Sequence, residues 1–190
     1  MKGGKDVFYR LVRAIYRFYL TYLRGWVVEG RENIPARGPL ILVANHTSYS
    51  DPPILGAALT RRVHFMAKEE LFRYPVFGPI LHRLEAFPVR REAVDRSAIR
   101  KALQILREGK VLGMFPEGTR IKTGQLGEAQ PGVALLATKS GAPILPVGIS
   151  RVSGKLIVRF GKTFSLRAEG RERKAAGKRI MAEIGSLLEK

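Results

Sequence analysis

Short apolar runs alternate along the chain with segments in which apolar residues recur every three or four positions. The runs are typical of buried strands, which we predict at GWVVEG, PLILVAN, VHFMA, AFPV, VLGMF, APILPVGI and KLIVRFG. The clearest helix spans residues 95 to 108, where Ile99, Leu103 and Leu106 line one face and Asp95 can cap the first turn. This alternation predicts a single α/β domain with a mixed, largely parallel sheet flanked by helices.

Further helices are predicted between and after the strands. One begins near Asp51 and runs to about Leu59, and short helices cover YPVFGPILHRL and GVALLATKSG. A basic helix closes the chain from about Glu172 to Leu188. Because no internal repeat, low-complexity tract or linker interrupts the pattern, we expect one domain over residues 26–190. In sheets of this class, ligands usually bind beyond the carboxyl ends of the strands.

The first 25 residues carry a different pattern, in which a narrow stripe of arginines lies opposite a wide apolar and aromatic arc. The stripe consists of Arg10, Arg13, Arg17 and Arg24, and the arc of Phe8, Leu11, Val12, Ile15, Tyr19, Tyr22 and Trp26. Arginines at this spacing interrupt a spanning stretch, which needs about 20 apolar residues. We predict that residues 1–25 form an amphipathic helix in the membrane interface, with its arginines facing anionic lipid. The alternative is a helix packed on its own domain with a solvated basic face.

The charge of the chain narrows the class of its partners. Thirty-four basic against sixteen acidic residues give a formal net charge of +18, which favours nucleic acid, an anionic membrane surface or an acidic protein. The absence of cysteine excludes disulfides, thiolate metal sites and a thiol nucleophile. We expect no secretory signal peptide, because the first residues are charged and no small-residue cleavage site follows an apolar block.

A histidine and an aspartate follow the predicted strand PLILVAN, five positions apart. The turn between them can bring Asp51 under the imidazole of His46, where it would accept a hydrogen bond from Nδ1–H and leave Nε2 free as a base. Asp51 also precedes a proline, so its alternative role is the N-terminal cap of the next helix. No G-x-S-x-G elbow surrounds Ser48 or Ser50, so we expect His46 to deprotonate a substrate hydroxyl directly.

A second polar cluster, PEGTR, follows the predicted strand VLGMF. Arg120 offers a planar donor group suited to phosphate, and Gly118 allows backbone to approach a ligand closely. Glu117 can accept hydrogen bonds from substrate hydroxyls or hold Arg120 in place. Backbone amides near Gly118 are candidates to stabilise an oxyanion. The alternative for the whole cluster is an ordinary turn with a surface ion pair.

Cations also stand at the ends of two other predicted strands. Arg90 and Arg91 follow AFPV, and Lys68 follows VHFMA. Because side chains alternate along a strand, only one of the two arginines is expected to face the site. Each cation taken alone is better explained as facing solvent, whereas several of them near His46 favour a site for a dianion.

Four sequence blocks together resemble a known family. NHTSYSD is similar to the H-x4-D motif of the glycerolipid acyltransferases, the 1-acyl-glycerol-3-phosphate acyltransferase family. FPVRR, FPEGTR and ILPVGI resemble the second, third and fourth blocks of that family in the same order, and the likeness covers roughly residues 26 to 165. The chain departs from the family pattern at Glu85, where glycine usually precedes AFPV, and at Arg90, where an acidic residue is frequent.

The resemblance implies roles for individual residues and a reaction. It makes His46 the general base and Asp51 its partner. The residues that it implies for binding the glycerol phosphate are Arg91, Glu117, Gly118 and Arg120, and we add Lys68 and Thr119 as further candidates for substrate binding. Arg91 is favoured over Arg90 for the phosphate, and Pro146 lies in the block associated with the acyl donor. The implied reaction moves a fatty acyl group from acyl-CoA or acyl-carrier protein to the sn-2 hydroxyl of lysophosphatidic acid, giving phosphatidic acid without an acyl-enzyme, a metal or a cofactor.

Two alternatives stay open on the sequence alone. Within the enzyme class, the acceptor can be glycerol-3-phosphate or another lysophospholipid, although the short chain favours lysophosphatidate. Outside it, a non-catalytic basic module explains the charge and the first helix, but not His46, Asp51 and PEGTR together, and no zinc-finger, RRM or KH signature is present. We therefore expect lysophosphatidic acid, an acyl donor and an anionic membrane surface as partners, and no nucleic acid. The expected location is the cytoplasmic face of the cell membrane, as a peripheral or monotopic protein.

Overall fold

The computed structural model describes residues 2–90, 94–121, 125–166 and 173–189. Its helices are α1 (Lys2–Phe18), α2 (Asp51–Ala58), α3 (Phe77–Arg83), α4 (Arg96–Arg107), α5 (Pro131–Ser140) and α6 (Arg173–Leu188). Its strands are β1 (Trp26–Glu29), β2 (Leu40–Ala44), β3 (Val63–Lys68), β4 (Phe87–Val89), β5 (Val111–Met114), β6 (Ile144–Val152) and β7 (Lys155–Phe160). A π-helical segment, Tyr19–Arg24, continues α1, and short 3₁₀ helices lie at Arg31–Asn33 and Glu69–Arg73. Each strand and helix predicted from the sequence is present, with small shifts at the ends.

The strands form one seven-stranded sheet in the order β1-β7-β6-β2-β5-β3-β4. Neighbouring strands run parallel, except β6 and β7, which are antiparallel. The predicted single α/β domain with a mixed, largely parallel sheet is confirmed. Because β2 and β5 are parallel neighbours near the middle of the sheet, their carboxyl ends meet at one edge.

The central strand β2 separates two apolar layers. Leu40 and Leu42 face a layer that contains side chains of α2 together with Leu20 from the π-helical segment. Ile41 and Val43 face the opposite layer, which α4, α5 and α6 cover. Every residue of β2 is buried. The polar residues that follow β2 therefore emerge only at the carboxyl edge of the sheet.

The N-terminal helix has one side packed on the domain and another side exposed. Tyr9 and Leu20 are buried, and the Tyr9 hydroxyl accepts a hydrogen bond from the Val63 N–H at 3.2 Å. Arg13, from the predicted basic stripe, donates to the Thr60 carbonyl at 2.9 Å. The exposed apolar side chains are Val7, Leu11, Ile15, Phe18, Tyr19, Tyr22 and Leu23. In the part of the chain that the structure describes, no helix combines the length and the apolar character that a membrane span requires.

The sequence patterns place Trp26 both in the aromatic arc of the first helix and in the predicted strand GWVVEG, and the structure places it in the strand. It begins β1, where it pairs with Leu156 of β7 and packs, partly buried, against the apolar layer that contains Leu20. Its indole N–H donates to the Thr21 hydroxyl at 3.1 Å. The chain leaves the helix at Gly25, whose φ of 61° is readily adopted only by glycine. The change of direction at this residue moves Trp26 from the helical face into the sheet.

Candidate active site

Two polar loops meet at the carboxyl edge of the sheet. One follows β2 and begins at Asn45, and the other is the PEGTR turn after β5. Val43 of β2 pairs with Met114 of β5 in parallel register, so both loops leave the sheet side by side. The Ile121 N–H donates to the His46 carbonyl at 2.8 Å and ties the loops together. The two motifs found in the sequence therefore form one continuous surface.

His46 and Asp51 are in direct contact within the first loop. Nδ1 of His46 lies 2.9 Å from Oδ2 of Asp51. Asp51 is only 1% exposed. The same oxygen accepts hydrogen bonds from the backbone N–H groups of Thr47 at 2.8 Å and Ser48 at 2.7 Å. Three donors on one oxygen hold the carboxylate still, and a carboxylate at Nδ1 favours the tautomer that carries its proton there. Nε2 is then the nitrogen with a free lone pair, as a general base requires.

The alternative in which Asp51 caps the next helix is wrong. Asp51 is the first residue of α2, and Ser50 occupies the cap position without a side-chain hydrogen bond. A cap at Asp51 would accept from the second and third residues after it, but Pro53 has no N–H, and the Ile54 N–H donates to the Ser50 carbonyl at 3.0 Å. The carboxylate instead accepts hydrogen bonds from the loop before it and contacts His46.

Glu117 is buried beneath the loop that carries His46 rather than directed toward solvent. Its residue is 5% exposed, and Oε2 accepts a hydrogen bond from the His46 N–H at 2.8 Å. Its other oxygen, Oε1, accepts from the Gly127 N–H at 3.3 Å. Together with the Ile121 bond to the His46 carbonyl, this contact fixes the backbone of His46 on both sides. Sequence reasoning considered Arg120 or a substrate hydroxyl as the partner of Glu117, and the structure shows these two backbone amides.

The imidazole of His46 is also supported through its ring face. It stacks on Phe115, with centroids 4.0 Å apart and planes inclined by 17°, and Phe115 stacks in turn on Phe65 at 5.8 Å. Gly113 makes room for this arrangement, because a Cβ at that position would lie 2.4 Å from the Phe65 ring. The motif that contains Phe115 indicates no role for this residue, because its stacking partners lie on neighbouring strands that are distant in the sequence and leave no local signal.

The PEGTR turn places Arg120 over an aromatic ring. The guanidinium carbon lies 3.4 Å from the ring centroid of Tyr49, in the loop that carries His46. Gly118 adopts a φ of 69°, which favours glycine, and a Cβ there would lie 3.0 Å from Gln130 Cγ, so a larger residue would also have to displace that side chain. The Gly118 N–H donates to the Phe115 carbonyl at 3.0 Å, which removes this amide from the candidates for an oxyanion site. Thr119 is exposed at the tip of the turn.

The other predicted cations are less closely tied to the turn. Lys68 lies at the end of β3, is 48% exposed in its side chain, and pairs with Glu70 at 2.8 Å. Arg90 is 66% exposed in its side chain, and its Nε lies 3.6 Å from Asp95. Hydrogen bonds from Ser97 and from backbone amides hold the pKa of Asp95 well below its usual range, so this helix cap stays charged. Arg91 lies outside the described residues.

Asn45 links the loop that carries His46 to the neighbouring strand. It is 4% exposed, its Nδ2 donates to the Ile149 carbonyl at 2.9 Å, and its Oδ1 accepts from the Ile149 N–H at 2.8 Å. The side-chain amide of Asn45 thus takes the place of a pair of backbone hydrogen bonds between the two strands, at the point where β2 ends and β6 continues. The only sequence signal was a buried-type position occupied by a polar residue directly before His46. This contact anchors the loop one residue upstream of the histidine.

The combined arrangement offers a base, a fixed carboxylate and a guanidinium at one edge of the sheet. Among residues 2–90, 94–121, 125–166 and 173–189, no group of three or more metal-ligating side chains is placed to hold an ion. The geometry suits proton abstraction from a hydroxyl beside a bound anion.

Comparison with known proteins agrees with this chemistry. A family model described as Acyltransferase matches residues 26–150. The 1-acyl-sn-glycerol-3-phosphate acyltransferase of Bacillus subtilis is 36% identical over 143 residues, which cover 74% of this chain and 71% of that protein. The enzyme of the same name from Pseudomonas aeruginosa is 31% identical over 181 residues, covering 85% of this chain and 65% of that protein.

A solved structure shares the fold over nearly the whole chain. The crystal structure of the 1-acyl-sn-glycerophosphate (LPA) acyltransferase PlsC from Thermotoga maritima superposes with a TM-score of 0.78 at 24% identity, covering 99% of this chain and 82% of that one. Its likeness supports the α/β architecture, and the sequence matches identify the relatives. The chain belongs to the acyltransferase family and, within it, to the 1-acyl-sn-glycerol-3-phosphate acyltransferases.

Proposed function

We propose that this enzyme transfers a fatty acyl group from acyl-CoA or acyl-carrier protein to the sn-2 hydroxyl of 1-acyl-glycerol-3-phosphate, giving phosphatidic acid for phospholipid synthesis. The observation that carries the proposal is the buried Asp51 carboxylate 2.9 Å from Nδ1 of His46. The names of the relatives support the acceptor, which each of them carries in its own name. No nucleophile of the enzyme is required, because the thioester of the donor is already activated.

The proposed reaction is one proton transfer coupled to one acyl transfer. Nε2 of His46 takes the proton of the sn-2 hydroxyl, and the Asp51 carboxylate stabilises the imidazolium that forms. The oxygen attacks the thioester carbonyl, a C–O bond forms, and collapse of the tetrahedral intermediate breaks the C–S bond. The leaving thiolate takes the proton from the imidazolium, which restores the base. A positioned base of this kind contributes roughly 10²–10⁴-fold to the rate.

Arg120 is proposed as the residue that binds the phosphate of the acceptor. It follows the turn that Glu117 and Ile121 tie to His46, so its backbone is held next to the loop that carries the base. Arg91 is proposed as a second phosphate ligand, with Lys68 and Thr119 at the rim of the same site. Glu117 supports His46 by binding the backbone N–H of that residue, since both carboxylate oxygens of Glu117 already accept backbone hydrogen bonds.

The exposed side of α1 is proposed to lie on the membrane surface. Leu11, Ile15 and Phe18 are 55%, 60% and 60% exposed on the side turned away from α2. Arginines flank these side chains, as expected for a helix in the interface of an anionic bilayer. Tyr9 and Leu20 hold the opposite side on the domain, so the catalytic edge has a fixed orientation relative to the lipid.

The test of the proposed activity is thiol release from palmitoyl-CoA with and without lysophosphatidic acid, with phosphatidic acid identified as the product. Acceptor-dependent release supports the proposal, and His46→Ala serves as the inactive control. Glycerol-3-phosphate is assayed in parallel. Turnover with this acceptor and not with lysophosphatidic acid would show that the enzyme acylates glycerol-3-phosphate instead. Acyl-carrier protein loaded with the same chain distinguishes the two donors. The proposal is wrong if lysophosphatidic acid does not increase thiol release from either donor.

The membrane proposal is tested by substitution rather than by deletion. Removal of residues 1–24 would also remove Leu20 from the core, whereas Leu11→Ser, Ile15→Ser and Phe18→Ser change only exposed side chains. The triple variant should keep its melting temperature and sediment less with vesicles of anionic phospholipid. A matched control is Val152→Ser, which removes an exposed apolar side chain at the far end of β6. Vesicle binding equal to that of the wild type would place the lipid contact elsewhere.

A further inference from the structure

The contact between Tyr49 and Arg120 is unusual for two surface residues. The guanidinium carbon stands 3.4 Å from the centroid of the Tyr49 ring, which is van der Waals contact with the ring face. Tyr49 is nevertheless 73% exposed, so its ring is not held by burial in the core. A large aromatic side chain left in solvent at the edge of a catalytic loop needs a reason, and Arg120 is the group that it touches.

The backbone on both sides of this contact is fixed. Tyr49 lies between Ser48, whose N–H is bound by Asp51, and Ser50, whose N–H donates to the Ser48 hydroxyl at 3.2 Å. Arg120 directly precedes Ile121, whose N–H is bound by the carbonyl of His46. The stack therefore joins two segments that are each anchored to the catalytic histidine or its partner.

Stacking leaves the useful part of the guanidinium free. Its N–H groups point outward in the plane of the group, whereas the aromatic ring covers only one face. A long arginine side chain otherwise samples many rotamers, and ordering it on binding a ligand costs free energy. An aromatic platform that holds the plane in advance reduces that cost while the donors stay available to an anion.

We propose that Tyr49 is a positioning residue that holds Arg120 in the orientation needed to bind the phosphate monoester of the acceptor. The inference rests on the proposed function, because it assigns the phosphate of that acceptor to Arg120. It makes the aromatic face of residue 49, and not its hydroxyl, a determinant of acceptor affinity. The plain alternative is a surface tyrosine that arginine happens to cover, and it predicts no kinetic effect.

The experiment compares Tyr49→Leu with Tyr49→Phe on monomeric short-chain substrates. Tyr49→Leu should raise the acceptor KM about three- to thirtyfold, the range of a cation–π contact, and leave the donor KM unchanged. Tyr49→Phe keeps the ring face and should restore acceptor affinity. Tyr74→Leu, which removes another exposed tyrosine, is the matched control and should match the wild type. In the background of Arg120→Ala, Tyr49→Leu should have no further effect, because the contact is already gone.

Three results would each overturn the inference: a wild-type acceptor KM in Tyr49→Leu, equal damage in Tyr49→Phe, or a persistent effect of Tyr49→Leu without Arg120. Calorimetric titration with glycerol-3-phosphate gives a readout independent of turnover, in which Tyr49→Leu should bind more weakly by the same factor. A wild-type protein that fails to release thiol refutes the proposed function. A wild-type protein that turns over, accompanied by an unaffected Tyr49→Leu, refutes only the role of Tyr49.

Discussion

Glu85 stands at a left-handed backbone φ of 63° and places its carboxylate 3.8 Å from Nε2 of His64. The same carboxylate lies 3.7 Å from Arg62, whose guanidinium also pairs with Asp6 of α1. A left-handed φ favours glycine, which the resemblance to the family leads one to expect at position 85. In this chain, the Glu85 carboxylate links the segment before β4 to His64 of β3 and, through Arg62, to Asp6 of the first helix. Glu85 makes these contacts from a strained backbone conformation.

Replacement of Glu85 separates backbone strain from charge. Glu85→Gly and Glu85→Ala both remove the carboxylate, but only alanine keeps a Cβ in the left-handed region. Glu85→Ala should therefore be less stable than Glu85→Gly by about 1 kcal/mol. For a domain of this size, that difference corresponds to roughly 2–4 °C in melting temperature. An alanine variant as stable as the glycine variant would show that position 85 carries no strain.

His64 predicts a dependence of stability on pH. Burial lowers the pKa of this histidine, and the nearby Glu85 carboxylate only partly offsets the effect. The folded state then keeps the neutral ring while the unfolded state binds a proton below about pH 6.5, so the free energy of unfolding should fall as the pH drops below that value. His64→Gln should flatten this slope and Glu85→Ala should steepen it. Urea unfolding of the three proteins at pH 7 and pH 5 measures the difference.

Phe115→Leu tests the support of the imidazole through its ring face. Loss of the stack should lower kcat about two- to tenfold and leave the acceptor KM nearly unchanged, because the ring touches the base and not the proposed phosphate site. Phe77→Leu, at a position 61% exposed on α3, is the matched control. Assays run well below the melting temperature of each variant separate this effect from instability. A Phe115→Leu enzyme with wild-type kcat would contradict it.

Asp51→Asn tests the charge of the orienting carboxylate. His46→Ala should lose about 10²–10⁴-fold in kcat, and Asp51→Asn should lose a comparable factor because the imidazolium loses its counter-charge. Asp51→Asn should also lower the free energy of unfolding by about 1–2 kcal/mol, since a neutral acceptor binds the Thr47 and Ser48 amides more weakly. Ser50→Ala, at a cap position without a side-chain bond, should melt like the wild type. Full activity in Asp51→Asn would reduce the aspartate to a loop anchor.

Glu117→Gln tests whether this carboxylate supports the loop or binds substrate. The glutamine amide can replace only one of the two acceptor oxygens, so one buried N–H, of His46 or Gly127, loses its partner at a cost of about 1–3 kcal/mol. Melting temperature and kcat should fall together. Glu128→Gln, at an exposed position in the same segment, should change neither. A selective rise in acceptor KM with an unchanged melting temperature would instead support direct substrate binding.

The sheet and the position of the site follow from local patterns. β2 is apolar at every position, which is typical of a strand buried on both faces, and polar residues begin immediately at Asn45. The same break occurs where β5 meets PEGTR. Since parallel strands end at one edge, the two motifs had to lie close together. The change from apolar to polar residues at the end of each strand is enough to predict where the site lies.

The partners of individual side chains do not follow from local patterns. Glu117 binds an amide 71 positions away, and Asn45 binds a strand 104 positions away. Asp51 before proline is a normal helix-start signal, but Pro53 has no N–H and the Ile54 N–H donates to the Ser50 carbonyl, so neither donor is left for a cap at Asp51. Trp26 fits a helical wheel up to Gly25, where one left-handed residue redirects the chain. These contacts depend on the assembled sheet, so composition and spacing carry little information about them.

The pairing of β1 with β7 has a consequence for the order of folding. Trp26 meets Leu156 and Glu29 meets Arg159, so the first strand of the chain completes the sheet with the last. During synthesis, α1 and β1 leave the ribosome long before β7 exists, and contacts at such sequence separation form late. Strand β1 therefore stays without its pairing partner through most of translation. A nascent chain of this enzyme presents an aromatic, arginine-rich helix to its surroundings before it has an active site.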